Sequence, residues 1–259
     1  MKLITWNVNG IRACGPKGLL TLVQEEKPDI LCLQETKAQQ DQVSAELQDL
    51  GYAHTYWSSA KRKGYSGVAT FSHIEPREIH TTIGYDHYEN EGRIVHTQFE
   101  HFELYNIYFP NGGSGEERHL FKQQFLKDLI EVLSVKVRQN IPMIVVGDYN
   151  VAHTDIDVHD PIRLSKESGF LPEERAWFGD FVRSGFVDAY RHFHPEVKNK
   201  YTWWSYREFG RVSNRGWRID YVCITKNILP YLKSTEILDG VMGSDHCPVK
   251  AEFDFSGKP

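Results

Sequence analysis

Cysteine is scarce in this chain, and its spacing excludes several kinds of site. The 259 residues include only four cysteines, none of them in a Cys-x-x-Cys pair. Neither a zinc knuckle nor a thioredoxin-type redox site is therefore indicated. Cys32 and Cys223 lie inside apolar runs, which predicts buried and reduced side chains.

Long apolar segments are also missing. No stretch approaches the roughly 18 apolar residues of a membrane span, and the N-terminus lacks the apolar segment of a secretory signal. Together with reduced cysteines, this predicts a cytoplasmic protein with no membrane partner. The net charge of -5 argues against nonspecific nucleic-acid binding over the whole surface, but it is compatible with a local basic groove.

No Ser/Gly/Pro-rich linker or low-complexity tract divides the chain. We therefore predict a single domain over residues 1–259, and nothing in the sequence indicates more than a monomer. The composition, with 40% hydrophobic and 25% charged residues, is typical of a globular protein. A chain of this length can bury a sizeable core without disulfide bonds.

Short β-like runs alternate irregularly with helical patterns. The predicted strands are 3–8, 30–33, 68–71, 94–99, 104–109, 143–146, 221–224 and 249–255. Helices are predicted after Pro16, over about 39–50, after a capping box at 114–117, and from Pro172, whereas 151–171 is predicted to be a loop. Several strand connections are short, which argues against a regular doubly wound sheet. The pattern favours two mixed β-sheets packed face to face with helices outside.

Five apolar runs end in carboxylate, carboxamide or imidazole side chains. These ends are residues 6–10, 33–37, 147–150, 217–221 and 243–248. Each alone is weak evidence, since Asp and Asn also form ordinary turns. Their coincidence predicts that the strand ends converge on one metal-assisted hydrolytic site.

Asp148 and Asn150 follow a buried-strand pattern two residues apart, so in extended backbone they point the same way. Glu35 follows another apolar run, and beside Asn7 it is a plausible magnesium ligand. Lys37 is a candidate phosphate contact, although an isolated surface lysine more often has no such role. Oxygen ligands of this kind suit Mg²⁺ or Mn²⁺.

Asp220 lies inside an apolar strand pattern and must be paired if it is buried. His246 is the attractive partner, because an Asp–His pair fixes the imidazole tautomer and raises its basicity. The alternative is that Asp220 pairs with Arg218 or another arginine.

Aromatic and basic residues predict a nucleic-acid surface. Tyr108 precedes a Pro-Asn-Gly-Gly loop that contains Asn111, and both residues are candidate phosphate donors. Rings and guanidinium groups interleave around Trp203, Arg207 and Trp217, as binding of a splayed-out sugar or base requires. The basic loop that contains Lys63 and Tyr65 is a second candidate contact, although such a loop is as often merely solvated.

The motifs taken in order resemble the exonuclease III / AP endonuclease family of the endonuclease/exonuclease/phosphatase superfamily. They read Trp-Asn-x-Asn-Gly, Leu-Gln-Glu-x-Lys, Tyr-x-Pro-Asn-Gly, Gly-Asp-x-Asn-x-Ala, Trp-Arg-Ile-Asp-Tyr and Ser-Asp-His-Cys-Pro, between Trp6 and Pro248. Asn9 stands where some members carry aspartate. The resemblance implies a four-layer α/β sandwich, a divalent cation, and hydrolysis of phosphodiesters in double-stranded DNA at abasic sites and 3′ ends.

The resemblance also implies roles for individual residues. Asn7 and Glu35 would hold the metal, and Asp148, Asn150, Asp245 and His246 complete the set of candidate ligands. Asp245 would assist either the metal or a leaving-group water. Asp148 would orient or deprotonate the attacking water, aligned by Asn150. Tyr108 and Asn111 would contact the phosphate. His246, supported by Asp220, would bind or protonate a phosphoryl oxygen. Trp203, Trp217 and Ile219 would line the pocket for a flipped abasic sugar.

Two other functions are compatible with parts of the sequence: hydrolysis of a small phosphoester, and DNA binding without catalysis. The same fold can hydrolyse small phosphoesters, although the Trp/Arg-rich segment argues for DNA. A DNA-binding module without catalysis would not need the full set of carboxylates and the histidine. We therefore expect a repair nuclease that acts as AP endonuclease, 3′-5′ exonuclease or 3′ phosphatase.

Overall fold

Two six-stranded mixed sheets form the centre of the fold. The computed structural model describes residues 1–257, without the side chain of Asp86, so positions 258 and 259 of the predicted domain lie outside the described residues. In spatial order, sheet 1 contains β13 (Leu232–Ile237), β14 (Val249–Phe253), β1 (Lys2–Asn7), β2 (Ile30–Gln34), β4 (Val68–Ser72) and β3 (His54–Ser58). Sheet 2 contains β5 (Glu78–His80), β6 (Ile94–Gln98), β7 (Glu103–Tyr108), β8 (Met143–Asp148), β12 (Asp220–Thr225) and β9 (Phe186–Asp188).

The two sheets are built alike. Each has one parallel pair at its centre, β1 with β2 and β7 with β8, and its other pairs are antiparallel. A short third sheet pairs β10 (Trp203–Trp204) with β11 (Gly216–Trp217). The predicted mixed sheets are confirmed.

Helices pack on the outer faces of both sheets. Those of sheet 1 are α1 (Ile11–Cys14), α2 (Leu19–Glu26) and α3 (Ala45–Asp49), and those of sheet 2 are α4 (Glu116–Arg138) and α6 (Pro172–Arg183). Two short helices lie elsewhere: α5 (Pro161–Leu164) packs beside Trp217 and Ile219, and α7 (Ala189–Phe193) packs with the cluster between the sheets. Leu19 and Leu47 pack with Ile4 and Leu31 outside sheet 1. Phe125 of α4 and Phe178 of α6 pack with strand residues outside sheet 2.

The layer between the sheets follows from strand periodicity. Successive side chains of a strand point to opposite faces. On β8, Ile144 and Val146 belong to the cluster between the sheets, whereas Met143 and Val145 belong to the cluster under α4 and α6. Strands buried on both faces explain why the sequence shows continuous apolar runs. The result is the expected four-layer α/β sandwich.

Three local predictions are wrong in detail. The expected capping box at 114–117 does not form: Gly115, with φ 109°, precedes α4 and no side chain caps it. The helix expected over 39–50 is interrupted at Val43, whose extended backbone separates a single 3₁₀ turn from α3. The loop expected over 151–171 contains α5, which Asp160 caps by accepting from the Arg163 amide.

None of the helices within residues 1–257 is both long and apolar enough to cross a membrane. All four cysteines are buried and free of disulfides, as predicted for Cys32 and Cys223.

Glu103 of β7 anchors the last turn of α4, because its carboxylate accepts hydrogen bonds from several residues. Glu103 accepts from Lys136 Nζ at 2.8 Å and from the Tyr105 hydroxyl at 2.9 Å, and it lies 3.0 Å from His96 Nε2. Burial opposes ionisation of Glu103, but the bonds to His96, Lys136 and Tyr105 outweigh it and lower its pKa to about 2.

We expect Glu103→Gln to destabilise the protein by about 2 kcal/mol near neutral pH. The folded pKa lies below the unfolded value of about 4.3, so this stabilisation is present above that value and is lost as the pH falls toward 2. Urea unfolding at pH 6 and pH 3 should show a smaller difference between variant and wild type at pH 3. An equal difference at both pH values would contradict this origin of the stabilisation.

Candidate active site

The polar side chains of the site continue the inward-facing rows of the central strands. On β1 the row runs through Leu3 and Thr5 to Asn7, and on β8 it runs through Ile144 and Val146 to Asp148. β12 contributes Asp220, which pairs in register with Asp148. The rows change from apolar to polar at one end of the sandwich, so the site lies between the two sheets there.

Asp148 occupies the centre of this end and is only 2% exposed. Its Oδ2 accepts from Asn7 Nδ2 at 2.9 Å and from Asn150 Nδ2 at 3.3 Å, and its Oδ1 accepts from the Asn150 amide at 2.8 Å. Burial raises the pKa of Asp148 to about 7, and the nearby Asp220 carboxylate adds to this against the opposing effect of His246. A carboxylate with a pKa near neutrality is suited to accept a proton from water.

His246 and Asp220 form a buried pair. His246 Nδ1 lies 2.9 Å from Asp220 Oδ2, and His246 Nε2 lies 3.8 Å from Asp148 Oδ2. Burial lowers the pKa of His246, but the Asp220 and Asp148 carboxylates outweigh it and raise the pKa to about 10. The imidazole is therefore protonated at neutral pH and can donate from Nε2.

The alternative partner of Asp220 is bound elsewhere. Arg218 donates from Nε to Asp157 Oδ1 at 2.7 Å and from a terminal nitrogen to Asp188 Oδ2 at 2.8 Å. The Arg218 guanidinium is thus paired with these two carboxylates, and Asp220 Oδ2 contacts His246 instead. The pairing of Asp220 with Arg218 is therefore wrong.

Glu35 and Tyr108 meet across the two sheets. The Tyr108 hydroxyl donates to Glu35 Oε1 at 2.6 Å. Burial, reinforced by the Glu35 carboxylate, raises the pKa of Tyr108 well above its ordinary value, so the phenol remains a donor. Within the described residues, no donor contacts Glu35 Oε2, and Glu35 lines the cavity described below.

Asn150 and Asn111 form an amide chain beside Asp148. Asn111 Nδ2 donates to Asn150 Oδ1 at 3.0 Å, and Asn150 Nδ2 donates to the Phe109 carbonyl at 2.9 Å. Asn150 has a left-handed backbone with φ 52°, a conformation that asparagine tolerates better than most residues. The predicted same-side arrangement of Asp148 and Asn150 therefore arises from a turn that follows β8, rather than from continued extended backbone.

A cavity of about 500 Å³ opens over these residues. One wall is formed by Trp203, Trp217 and Ile219, and Trp203 Nε1 donates to Asp245 Oδ2 at 3.1 Å. The site residues that also line the cavity are Glu35, Tyr108, Asn111, Asp148, Asn150, Asp245 and His246. Asn7 and Asp220 lie behind this surface, bonded to Asp148 and His246 respectively.

Three residues predicted to bind DNA lie outside this cavity. Lys63 and Arg207 are exposed on loops. Tyr65 lines a second cavity with Lys61, Arg62 and Arg118. Arg93 connects it to the site, because one terminal nitrogen donates to the Tyr65 hydroxyl at 2.7 Å and the other to the Tyr108 carbonyl at 3.1 Å.

Several residues in or beside the cavity have no sequence pattern that predicts a functional role. Lys37 lies 3.7 Å from Glu35 Oε1 and also bonds Asn9 Oδ1, so it is not an isolated surface lysine. Asn9 in turn donates to Asp245 Oδ1 at 2.9 Å. The cavity rim includes His159, Arg163 and Arg215. Only proximity in the fold distinguishes these residues from other surface charges.

The donor set fits a hard divalent cation. Glu35, Asp148 and Asp245 bring three carboxylates to one cavity, and the unbonded Glu35 Oε2 and the Asn7 amide are oxygen ligands of the kind Mg²⁺ takes. Asp148, Asp220 and His246 also place ligand atoms within 4.8 Å of one another and could hold a metal ion. Protonation of His246 and its bond to Asp220 compete with that use of the imidazole.

Comparison with known proteins agrees with this geometry. A model of the "Endonuclease/Exonuclease/phosphatase family" matches residues 4–246. The "Exodeoxyribonuclease" of Bacillus subtilis is 42% identical over 251 residues, which cover 96% of this chain and 98% of the relative. The "DNA-(apurinic or apyrimidinic site) endonuclease" of Dictyostelium discoideum is 37% identical over 258 residues, which cover 99% of this chain and 71% of the relative.

A solved structure shares the fold over nearly its whole length. The 3′-5′ exonuclease NExo of Neisseria meningitidis superimposes with a TM-score of 0.89 at 30% identity, covering 98% of this chain and 100% of the other. The resemblance inferred from the sequence motifs is therefore confirmed. The chain belongs to the endonuclease/exonuclease/phosphatase family, among the relatives named exodeoxyribonuclease and AP endonuclease.

Proposed function

We propose that this protein is a magnesium-dependent nuclease that hydrolyses phosphodiesters of double-stranded DNA at abasic sites and at 3′ ends. The observation that carries the proposal is the placement of Asp148 between two hydrogen-bonding amides and 3.8 Å from the His246 imidazole. A water-activating base and a cationic donor thus face one cavity. The relatives, named as nucleases of DNA, support the choice of substrate.

The electrostatics of the cavity support the need for a cation. The carboxylates that line the cavity outnumber its cationic groups, which are Arg163, Arg215 and the imidazolium of His246. The carboxylates are those of Glu35, Asp148, Glu167, Glu208 and Asp245. A phosphodiester brings further negative charge, so a polyanion and this acidic surface would repel each other. We propose that Glu35 and Asn7 hold Mg²⁺, with Asp245 as a further oxygen ligand. A bound divalent cation supplies charge that polarises the phosphoryl oxygens.

Side chains of the protein carry out proton transfer and bind the phosphate. Asp148 accepts a proton from the attacking water, which Asn150 aligns. His246 donates from Nε2 to a phosphoryl oxygen, and Asp220, bonded to Nδ1, fixes the orientation of the ring and stabilises its positive charge. Asn111 donates to the phosphate, and so does Tyr108, whose single hydroxyl proton turns from Glu35 to the bound substrate. These donors stabilise charge that develops as water adds to phosphorus and the P–O bond breaks. The departing sugar oxygen takes up a proton from solvent water and leaves as a hydroxyl.

The apolar wall of the cavity accounts for selection of damaged DNA. Trp203, Trp217 and Ile219 present rings and an aliphatic chain beside the polar groups. A nucleotide must leave the base stack to reach such a pocket, and this costs least where the base is already absent. Lys63, Tyr65 and Arg207 are proposed to contact the DNA backbone outside the cavity.

The proposal is tested by cleavage of three DNA substrates: a duplex with one abasic site, a recessed 3′ end, and a 3′-phosphate. Each is incubated with Mg²⁺, with Mn²⁺ and with chelator. We expect metal-dependent cleavage of the abasic duplex. We also expect release of nucleotides from the recessed 3′ end, of phosphate from the 3′-phosphate, or of both. Absence of cleavage despite tight DNA binding would favour a DNA-binding module without catalysis. Preference for a competing small phosphoester would favour a phosphoesterase of the same fold.

Tyr108→Phe is expected to lower kcat on the abasic duplex about 100-fold with little change in KM. The substitution removes one hydroxyl donor from the phosphate, and loss of a single donor to developing charge typically costs about 10²–10³-fold. Tyr56→Phe, a half-exposed tyrosine on β3, is the matched control and should retain wild-type kcat. Equal activity of Tyr108→Phe and wild type in steady-state kinetics would remove Tyr108 from the reaction.

A further inference from the structure

A fully buried ion pair lies beneath the cavity, outside the set of residues discussed so far. Lys122 Nζ of α4 and Glu174 Oε1 of α6 are 2.5 Å apart, and neither side chain is exposed. Buried ion pairs are costly, and apolar replacements are often neutral or stabilising. Phe125 and Phe178 already belong to the apolar cluster between these helices and sheet 2. Packing of α4 and α6 therefore does not by itself explain the pair.

The remaining hydrogen bonds of the pair end on the cavity wall. Lys122 Nζ donates to the Asn150 carbonyl at 2.8 Å. Glu174 Oε2 accepts from the Gly169 amide at 2.5 Å and from the Leu171 amide at 3.1 Å. Asn150 and Gly169 both line the cavity. One ion pair thus fixes the backbone of two separate segments of the site.

The stem of Lys122 also supports the loop that carries Asn111. A Cβ added at Gly112 would lie 3.3 Å from Lys122 Cδ and 2.8 Å from Ser168 Oγ. The loop therefore packs closely on the lysine and on the wall segment. Lys122 contacts the segments of Asn111 and Asn150, the two amides that are bonded to each other beside Asp148.

We propose that Lys122 and Glu174 are positioning residues for the reaction: together they hold Asn150 in its left-handed conformation and fix the cavity wall at 168–171, without touching substrate. Asn150 places one carboxamide between Asp148, the Phe109 carbonyl and Asn111. Rotation of its backbone would move that carboxamide away from Asp148. The inference rests on the proposed function for its catalytic consequence, but not for its structural content.

The test uses a neutral double variant, Lys122→Met with Glu174→Leu. Both substitutions keep most of the side-chain volume and leave no unpaired charge, but the backbone groups that lose their partners should lower the thermal midpoint by several degrees. The donor to the Asn150 carbonyl and the acceptor of the Gly169 and Leu171 amides are both lost. If this variant shows no cooperative unfolding transition, Lys122→Met with Glu174→Gln replaces it. The Gln carboxamide can still accept from the Gly169 and Leu171 amides, so kcat alone is then the deciding readout.

Two readouts decide the proposal. We expect kcat on the abasic duplex to fall about 10- to 100-fold at nearly unchanged KM, because small displacements of aligning groups have effects of this size. We also expect amide hydrogen exchange at Gly169 and Leu171 to accelerate at least about 10-fold. If the pair served only to stabilise the fold, the variant would show wild-type kcat when it is assayed well below its thermal midpoint. Wild-type values in either readout would overturn the proposal.

The control is a second Lys–Glu pair on the same helix. Lys136 of α4 bonds Glu103 at the opposite end of the sheet, so Lys136→Met with Glu103→Gln should leave both kcat and the exchange of Gly169 and Leu171 unchanged. If the wild-type protein cleaves none of the three DNA substrates, the proposed function fails, and the exchange measurement alone still decides whether the pair holds the wall.

Discussion

Asp148→Asn is expected to lower kcat on an abasic duplex by at least about 10³-fold. The carboxylate is the only group within the described cavity that combines burial, a pKa raised to about 7 and a contact with the cationic His246. The amide has nearly the same shape but cannot accept a proton. General-base catalysis typically contributes about 10²–10⁴-fold, and loss of a carboxylate near the proposed cation adds to that effect.

Single-turnover cleavage with saturating enzyme measures this loss without contribution from product release. Binding of the uncleaved duplex should persist, because Trp203 and Trp217 are untouched. The control is Asp41→Asn, which makes the same change on the exposed surface and should have wild-type activity. A tenfold loss or less in Asp148→Asn would place the proton acceptor elsewhere.

Asp157→Ala is expected to destabilise the fold by about 3–5 kcal/mol. Asp157 is fully buried and accepts from Arg218 at 2.7 Å, from Arg191 at 2.5 Å and from the Thr154 amide at 2.9 Å. Its removal leaves the buried Arg218 with Asp188 alone, and breaking one side of a buried ionic network typically costs this much. The free energy of unfolding of a protein is typically about 5–15 kcal/mol, so this substitution should remove a large fraction of it.

Urea unfolding at pH 7 measures the effect. Burial opposes ionisation of Asp157, but Arg218 and Arg191 outweigh it and lower its pKa, so its contribution is present at neutral pH and declines in acid. Asp155→Ala, two residues away, is the control: its exposed ion pair with Arg175 should be worth less than about 1 kcal/mol. A cost of Asp157→Ala no larger than that of the control would contradict the role assigned to the network.

Eight of the strands, and the positions of the polar side chains that follow the apolar runs, were predictable from the sequence because two local signals coincide. Strands β3, β5, β9, β10, β11 and β13 are short or partly exposed, lack a continuous apolar run and were not predicted. Apolar runs such as the one before Asp148 define strands, and the first polar residue beyond each run marks an end of the sandwich. Periodicity then determines which face each side chain takes. The Asp220–His246 pair was predictable in the same way, since a buried aspartate needs a partner and His246 is the polar residue next to another strand.

Other contacts depend on tertiary packing that no local pattern reveals. Lys122 lies among the polar positions of α4 and becomes fully buried only because α6 brings Glu174 against it. Lys37 contacts Asn9 because the two strand ends lie side by side. The helix expected over 39–50 breaks at Val43, where a β-branched residue takes extended backbone before α3 begins.

The most direct test of the account is a single-turnover reaction of an abasic duplex in ¹⁸O-labelled water with Mg²⁺, followed by mass spectrometry of the product ends. The account predicts one ¹⁸O in the new phosphomonoester and an intact hydroxyl at the other end, because water adds to phosphorus and the P–O bond breaks. Strand scission without ¹⁸O in the phosphate, or at an equal rate in chelator, would contradict it.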